Sequence, residues 1–467
     1  MPLRLRSMRR GDIIEVTIEK MVYGGRGLAH HNNRAVFVDA VIPGERVMAR
    51  AKRVKKDFAE ARLLKVLEPS QHRAIAPCRY NDYCGGCNWQ FIEYDEQLEY
   101  KHAIVEELLH YVGKVTDVPI HPVLPAPQVL GYRNKMEFSF SDRRWLMPEE
   151  LDNEEDHEHC ALGLHVPGTF DKIVDIDRCL LQHERGNEIL REVKKYARDS
   201  GLPVYGLRSH QGFWRYLVLR HSHYFDEWMV NIVTSEEREP ELSNLVSILM
   251  DRFGNIASFV QSINTRRGGT AIAEREKILR GRGSIRDKIG EFTFEISAQS
   301  FFQTNTAMAE RLYEQIGDLA SLTGGETIID LYCGIGTISI LLAPLASLVI
   351  GMDIAESAIQ DARKNCALNA VDNCEFLCGD SKVLLPQAVF HPNLLIADPP
   401  RAGIHRKVIE QILYLMPDKI IYVSCNPSTL ARDLALLNER YLVGKVQPLD
   451  LFPNTHHVET VVLLEQR

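Results

Sequence analysis

Apolar and polar positions alternate through "DIIEVTIEKM", "RAVFVDAVI", "ERVMARAKRVKK" and "AEARLLKVLE" between residues 11 and 68. That is the period of a pleated strand with one buried face. Gly24-Gly25-Arg26-Gly27 and Pro43-Gly44 punctuate the runs as turns. Several short strands in so short a stretch predict a small closed barrel, which Glu68-Pro69 terminates. The period then changes. "YDEQLEYKHAIVEELLHYV" (94–112) is spaced as a helix through Leu98, Val105, Leu108 and Val112. Residues 130–290 read as β-rich with interspersed helices, and no internal repeat is evident. From about residue 295 strands alternate with helices: "TIIDLY", "SLVIGMD", "AIQDARKNCALN", "CEFLCGD", "LLIADPP", "VIEQILYLM", "KIIYVSC", "ETVVLLEQ". This predicts a doubly wound α/β unit with a mostly parallel sheet, which binds ligands at the strand C-terminal ends. Three units are expected: a barrel over 1–67, a central α+β unit over 68–292, and an α/β unit over 293–467. The helix at 94–112 is free to pack on the last of them.

A chain of 467 residues is too long for one ordinary core, in keeping with several units. No apolar run approaches the roughly 18 residues needed to cross a bilayer. The opening MPLRLRSMRRGD is basic but lacks the apolar stretch of a signal peptide, so a cytoplasmic protein is expected. Ten cysteines in that compartment point to metal or catalysis rather than disulfides. The net charge of −8 argues against a nucleic-acid partner, but its distribution reverses that locally. Residues 1–66 carry 15 Lys/Arg against 7 Asp/Glu, so the barrel is basic on an acidic body. Arg46, Arg50, Lys52, Arg53, Lys55 and Lys56 form a candidate phosphate-binding stripe. "PEELDNEEDHEH" (148–159) is expected to be a mobile acidic insertion. His157, His159 and Cys160 there read as a solvated loop, since no second ligand pair faces them.

Candidate chemistry collects at the predicted strand ends of the last unit. "IIDLYCGIGTISI" (328–340) is a strand, a tight glycine turn and a helix start, with Asp330 before the glycines. Ser339 stands where a dinucleotide fingerprint has its third glycine, a departure from the pyrophosphate-cradling pattern. Asp353 ends the next strand, where ribose hydroxyls are commonly held, and Asp380 ends the one after, near where an adenine edge would lie. The set resembles S-adenosylmethionine-dependent methyltransferases. The fourth strand ends in Asp398-Pro399-Pro400-Arg401. Amino-methyltransferases of nucleic acids resemble this with an aromatic residue in place of Arg401, so a target other than an exocyclic amine is favoured. "IIYVSCNPSTLARD" (420–433) then ends a strand on Cys425 at an Asn-Pro turn, an exposure no core cysteine needs. Uracil carbon 5 takes a methyl group only after a thiolate has added to carbon 6, and a base must afterwards remove the carbon 5 proton. "FPNTHHVETVV" (452–462) offers Glu459, with His456 and His457 as rival proton carriers. Cys78, Cys84 and Cys87 form a C-x5-C-x2-C set that needs a fourth ligand, Cys179 or Cys160. Their spacing suits zinc or an iron–sulfur cluster equally.

DPPRAG, SCNP and HHVET together resemble the RNA (uracil-5-)-methyltransferase family, and "SFFQTN" (300–305) extends the likeness. The barrel resembles the TRAM domain, an OB-like RNA-binding module. The resemblance implies a Rossmann-like methyltransferase domain using S-adenosyl-L-methionine, with Gln303, Tyr332, Asp353 and Asp398 as its cofactor contacts. It implies Cys425 as nucleophile and Glu459 as base. It also implies a [4Fe-4S] cluster on Cys78, Cys84, Cys87 and Cys179, with zinc as the alternative metal. The three-part layout looks most like members that modify 23S ribosomal RNA. Transfer RNA is the near alternative, and a non-catalytic iron–sulfur RNA-binding protein the distant one. No membrane and no obligate protein partner are expected.

Overall fold

A computed structural model describes residues 8–116, 118–151, 160–387 and 391–467. The N-terminal strands Ile13–Thr17, Lys20–Val22, Arg26–His31, Arg34–Val38, Arg46–Val54 and Phe58–Glu68 form one six-stranded sheet. It curls around Ile14, Val16, Val36, Val38, Val47 and Ala49, the inward set of the alternating runs. Register shifts between the two long strands supply the bend that the curl requires. The strand Arg26–His31 occupies much of the stretch expected to be a glycine turn. Only Gly24 and Gly25, both at positive φ, make the reversal. On the basic strand Arg50, Lys52 and Arg53 point to solvent, followed by Lys55 and Lys56. Arg46 departs from the expected stripe, because it is engaged by Glu15 and, at 2.6 Å, by Glu68.

The central region is built on an eight-stranded mixed sheet running from Lys135–Ser141 to Arg275–Gly281. Helices Glu184–Asp199 and Glu239–Arg252 pack over a core that includes Phe138, Leu190, Trp214 and Leu249. Of the acidic insertion, Pro148–Glu150 forms a single helical turn. Residues 152–159, including His157 and His159, lie outside the described residues.

The last unit is a seven-stranded sheet. Its spatial order is Cys374–Cys378, Leu348–Asp353, Thr327–Leu331, Leu394–Ala397, Lys419–Ser424, Glu459–Gln466, Tyr441–Leu449. The first five strands are parallel, and Glu459–Gln466 runs antiparallel to both of its neighbours. The chain winds outward both ways from Thr327–Leu331, which creates a switch point at the C-terminal edge. Helices cover both faces, so the central strands are largely apolar: Ile328, Ile329, Ile420 and Ile421 are fully buried.

The helix Tyr94–Tyr111 joins this unit, placing Val105 and Leu109 in one core with Leu331, Tyr422 and Leu434. Its buried face differs from the expected one. Gln97, Lys101, Ile104, Val105 and Leu109 turn inward, while Val112 is exposed. Two polar side chains occupy the inner face because their partners lie on the loop that enters the final strand.

Candidate active site

The glycine turn is shaped by backbone conformation. Tyr332, Gly334 and Gly336 all have positive φ (65°, 56° and 79°). A Cβ at Gly336 would also stand 3.0 Å from the Phe376 ring, so glycine is required twice over. Asp353 holds the turn: its carboxylate accepts from Gly334 N at 3.1 Å and from Ala355 N at 2.8 Å. Beside it opens a cavity of about 190 Å³ lined by Tyr332, Asp353, Asp380, Pro400, Gly403 and His405. Gln303 and Asp398 stand outside its walls. Beneath the turn Asp330 is fully buried, and burial carries its carboxyl up to about 7. Ser339 donates to it at 2.5 Å, which explains the serine in a glycine's place.

Cys425 follows the strand Lys419–Ser424, half-buried at the same edge. The Asn-Pro turn after it starts a helix. The Asn426 side chain accepts from Ser428 N at 3.0 Å and Thr429 N at 3.4 Å, and Pro427 takes the first helical position. The same Asn426 donates from Nδ2 to Arg401 O at 2.9 Å, and the Thr429 hydroxyl donates there at 3.2 Å. The DPPR and SCNP turns are thereby stitched together. In the antiparallel pairing Thr460 lies opposite Ser424, which brings Glu459 abreast of Cys425.

Glu459 is 2% exposed, and its Oε1 has no hydrogen-bond partner. Burial and then Asp398 hold its carboxyl well above the usual range, opposed by Arg401. Burial and then Glu459 push the Cys425 thiol up to about 11, with Arg401 opposing and Asp398 adding. Burial followed by Asp330 raises Asp398 itself to about 7. Two carboxyls, Glu459 and Asp398, and one cation, Arg401, thus act on one thiol. His456 and His457 are held down to about 4 and about 3, chiefly by burial. Both rings are neutral near pH 7 and weakly basic, which leaves Glu459 the stronger proton acceptor of the loop once ionised.

The loop that delivers Glu459 is pinned by residues sequence reasoning did not single out. Lys101 and Asp450 form a wholly buried ion pair at 2.6 Å. The Gln97 side chain accepts from Asn454 N at 2.9 Å. Asn454 O accepts from Asn88 N and Trp89 N at 3.2 and 3.1 Å, and Asn88 Oδ1 accepts from His456 N at 3.1 Å. The available signal was two polar residues four apart on an otherwise apolar helix face. Gln303 is buried just before the helix Thr306–Ala320, its carbonyl accepting from Asn134 at 2.8 Å.

Cys78, Cys84, Cys87 and Cys179 gather at the edge of the central core. Burial pushes the Cys84 and Cys87 thiols up to about 12, and Cys179 and Cys78 add to both. Cys160 packs against the same core, at the start of the strand Ala161–His165. Among the described residues no group of three His, Cys, Asp or Glu is arranged to hold a single metal ion.

A family model described as tRNA (Uracil-5-)-methyltransferase matches residues 243–467, and a TRAM domain model matches residues 8–64. An uncharacterized RNA methyltransferase of Chlorobaculum tepidum is 39% identical, with 98% of this chain and 97% of that protein covered. One of Bacteroides thetaiotaomicron is 39% identical, covering 96% and 100%. The crystal structure of Pyrococcus abyssi tRNA (uracil-54, C5)-methyltransferase in complex with S-adenosyl-L-homocysteine is similar at a TM-score of 0.75. It is 30% identical and covers 97% of this chain and 100% of its own. With its TRAM barrel, its methyltransferase sheet and relatives matched end to end, the chain belongs to the RNA (uracil-5-)-methyltransferase family.

Proposed function

We propose that this protein methylates carbon 5 of a uridine in ribosomal RNA through a covalent bond between Cys425 and carbon 6. The observation that carries this is the pairing of Cys425 with a buried Glu459, whose Oε1 has no hydrogen-bond partner, across two adjacent strands. The thiolate adds to carbon 6 and moves the double-bond electrons toward carbon 5, which then takes the methyl group. Glu459, ionised, removes the carbon 5 proton; the double bond reforms and the sulfur–carbon bond breaks. Arg401 is the nearby cation that favours both the thiolate and the Glu459 carboxylate.

S-adenosylmethionine, when bound, supplies the electrophilic methyl group. Tyr332 and Asp353 suit its adenosine end, since they line the cavity at the switch point. We assign its reactive end to Asp398, whose strand lies between those of Tyr332 and Cys425, and to Gln303 on the family resemblance. A [4Fe-4S] cluster is assigned to Cys78, Cys84, Cys87 and Cys179. Four thiols gathered at one edge of the core, Cys179 buried and the others half-buried, are costly as thiolates unless iron compensates their charge. We assign it a structural role, since methyl transfer needs no electron.

A transfer RNA substrate is the second reading, favoured by the likeness to the Pyrococcus abyssi enzyme. Mapping 5-methyluridine in ribosomal and transfer RNA from a deletion strain separates the two. The covalent route is tested by a pair of variants. Cys425→Ala should abolish turnover and keep cofactor binding. Glu459→Gln should accumulate a methylated protein–RNA adduct that survives denaturing electrophoresis. Turnover by Cys425→Ala would overturn the covalent route, and a stalled Glu459→Gln without adduct would return the base role to His456 or His457.

A further inference from the structure

The barrel reaches the catalytic edge through one turn. Gly25, at a φ of 76°, lies so close under His456 that a Cβ there would stand 2.8 Å from the His456 Cβ. Its carbonyl accepts from Trp89 Nε1 at 3.3 Å, and the neighbouring Asn88 is bonded to His456 through both backbone and ring. The turn is therefore clamped onto the loop that carries Glu459. The residue that precedes it, Tyr23, is 41% exposed. Tyr23 thus enters the turn that is seated on the catalytic loop; its hydroxyl is raised by burial, lowered by the Arg401 cation and raised by Cys425, so both groups lie within electrostatic range of it.

Such a position has no use in the barrel's own core, which Tyr23 does not join. An aromatic face left open to solvent beside the nucleophile matches what single-stranded RNA recognition employs, because every base offers a π-face to stack on. The target base must also leave any stack before the thiolate can reach carbon 6, which costs stacking that a protein ring can replace. We propose that Tyr23 supplies the barrel's contribution to the base pocket, an aromatic surface against which the target uridine packs as Cys425 engages it. Tyr23 is thus a positioning residue that links RNA capture by the barrel to chemistry on the α/β unit, and this role rests on the Cys425 reading given above. It also accounts for the close Gly25–His456 contact, since a ring offset by a displaced turn would miss the base.

The test uses the full-length protein and end-labelled decauridylate, with affinity read by fluorescence anisotropy. Tyr23→Ala should bind roughly ten-fold or more weakly, the range that one base stacked on one ring supplies. Tyr23→Phe, which keeps the ring and loses the hydroxyl, should bind as the parent does, and cofactor affinity should be unchanged in both. A decamer of 5-fluorouridine with S-adenosylmethionine gives the second readout. Fluorine at carbon 5 does not leave as a proton does, so the Cys425 adduct is trapped. The RNA concentration for half-maximal trapping should rise in Tyr23→Ala by the factor seen in binding, with the maximal rate little changed. Unaltered decauridylate affinity in Tyr23→Ala overturns the proposal, as does a Tyr23→Phe variant as weak as Tyr23→Ala. If the parent protein traps no 5-fluorouridine, the Cys425 reading fails instead, and the decauridylate titration still decides for or against Tyr23.

Discussion

The thiol of Cys425 should be a poor nucleophile until its surroundings change, and alkylation can measure how poor. With the thiol pushed up to about 11, at pH 8 only about one molecule in a thousand carries the thiolate, against about a quarter for a free cysteine near 8.5. Iodoacetamide should therefore label Cys425 about two hundred times more slowly than a free cysteine at that pH, since only the thiolate reacts. Peptide-resolved mass spectrometry separates it from exposed Cys378. The rate profile should rise with pH toward about 11. The profile's midpoint reports ionisation, whereas limited access to the half-buried sulfur scales the whole curve.

Two variants should move the midpoint in opposite directions. Glu459→Gln removes the carboxylate that, after burial, weighs most against the thiolate, so the midpoint should fall. Arg401→Met removes the cation that opposes it, so the midpoint should rise. A midpoint displaced by one pH unit changes the rate on the rising limb about ten-fold. A Glu459→Gln midpoint at or above that of the parent, or a lowered midpoint in Arg401→Met, would refute this electrostatic account of the pocket.

Lys101→Met strands Asp450 in a dry interior and should cost roughly 3–5 kcal/mol in urea unfolding, most of it recovered in Lys101→Met/Asp450→Leu. Asp353→Ala should raise the cofactor KM more than it lowers kcat, the mark of a contact equal in ground and transition states. Reversing the charges of Arg50, Lys52, Arg53 and Lys55 should flatten the salt dependence of RNA binding, by about 0.7–0.9 in log–log slope for each phosphate no longer neutralised. Reversing Arg46, already engaged by Glu15 and Glu68, should not. Protein purified without oxygen should hold about four irons per chain if one cluster is bound; Cys179→Ser should lose them and Cys160→Ser keep them.

Strand ends were legible because the signal is local. An apolar run closing on Asp353, Asp398 or Cys425 announces a parallel strand meeting a ligand edge, and the folded sheet puts all three on one side. The glycine turn was legible for the same reason. The buried face of the helix at 94–111 was not, because Gln97 and Lys101 look like surface residues until their partners are known. Those partners, Asn454 and Asp450, stand 357 and 349 residues away in the chain. The barrel strand Arg26–His31 was hidden by its own glycine and by lack of alternation, since the sheet accepts it through pairing with Arg34–Val38. Tyr23 gave no signal at all, because its meaning lies in how the barrel turn meets His456.

These long-range partners bear on where the methyltransferase unit begins. A boundary at residue 293 follows the strand–helix rhythm, but it would cut away the helix Tyr94–Tyr111, whose Val105 and Leu109 complete the core beneath Tyr422 and Leu434. It would also leave Asp450 without Lys101 and Asn454 without Gln97. Asp450 lies nine positions before Glu459, in the segment that turns the chain into its last strand. A carboxyl raised by burial keeps its character only while that loop stays shut, because water admitted to Glu459 would restore an ordinary carboxylate. The site thus depends on contacts from three regions of sequence. The seven-stranded sheet sets the distance between Cys425 and Glu459, the helix at 94–111 keeps the loop closed, and the Gly25 turn roofs it from the barrel. The catalytic unit is the assembly of all three: the last third of the chain supplies the reacting side chains, and the other two regions hold the loop that carries Glu459.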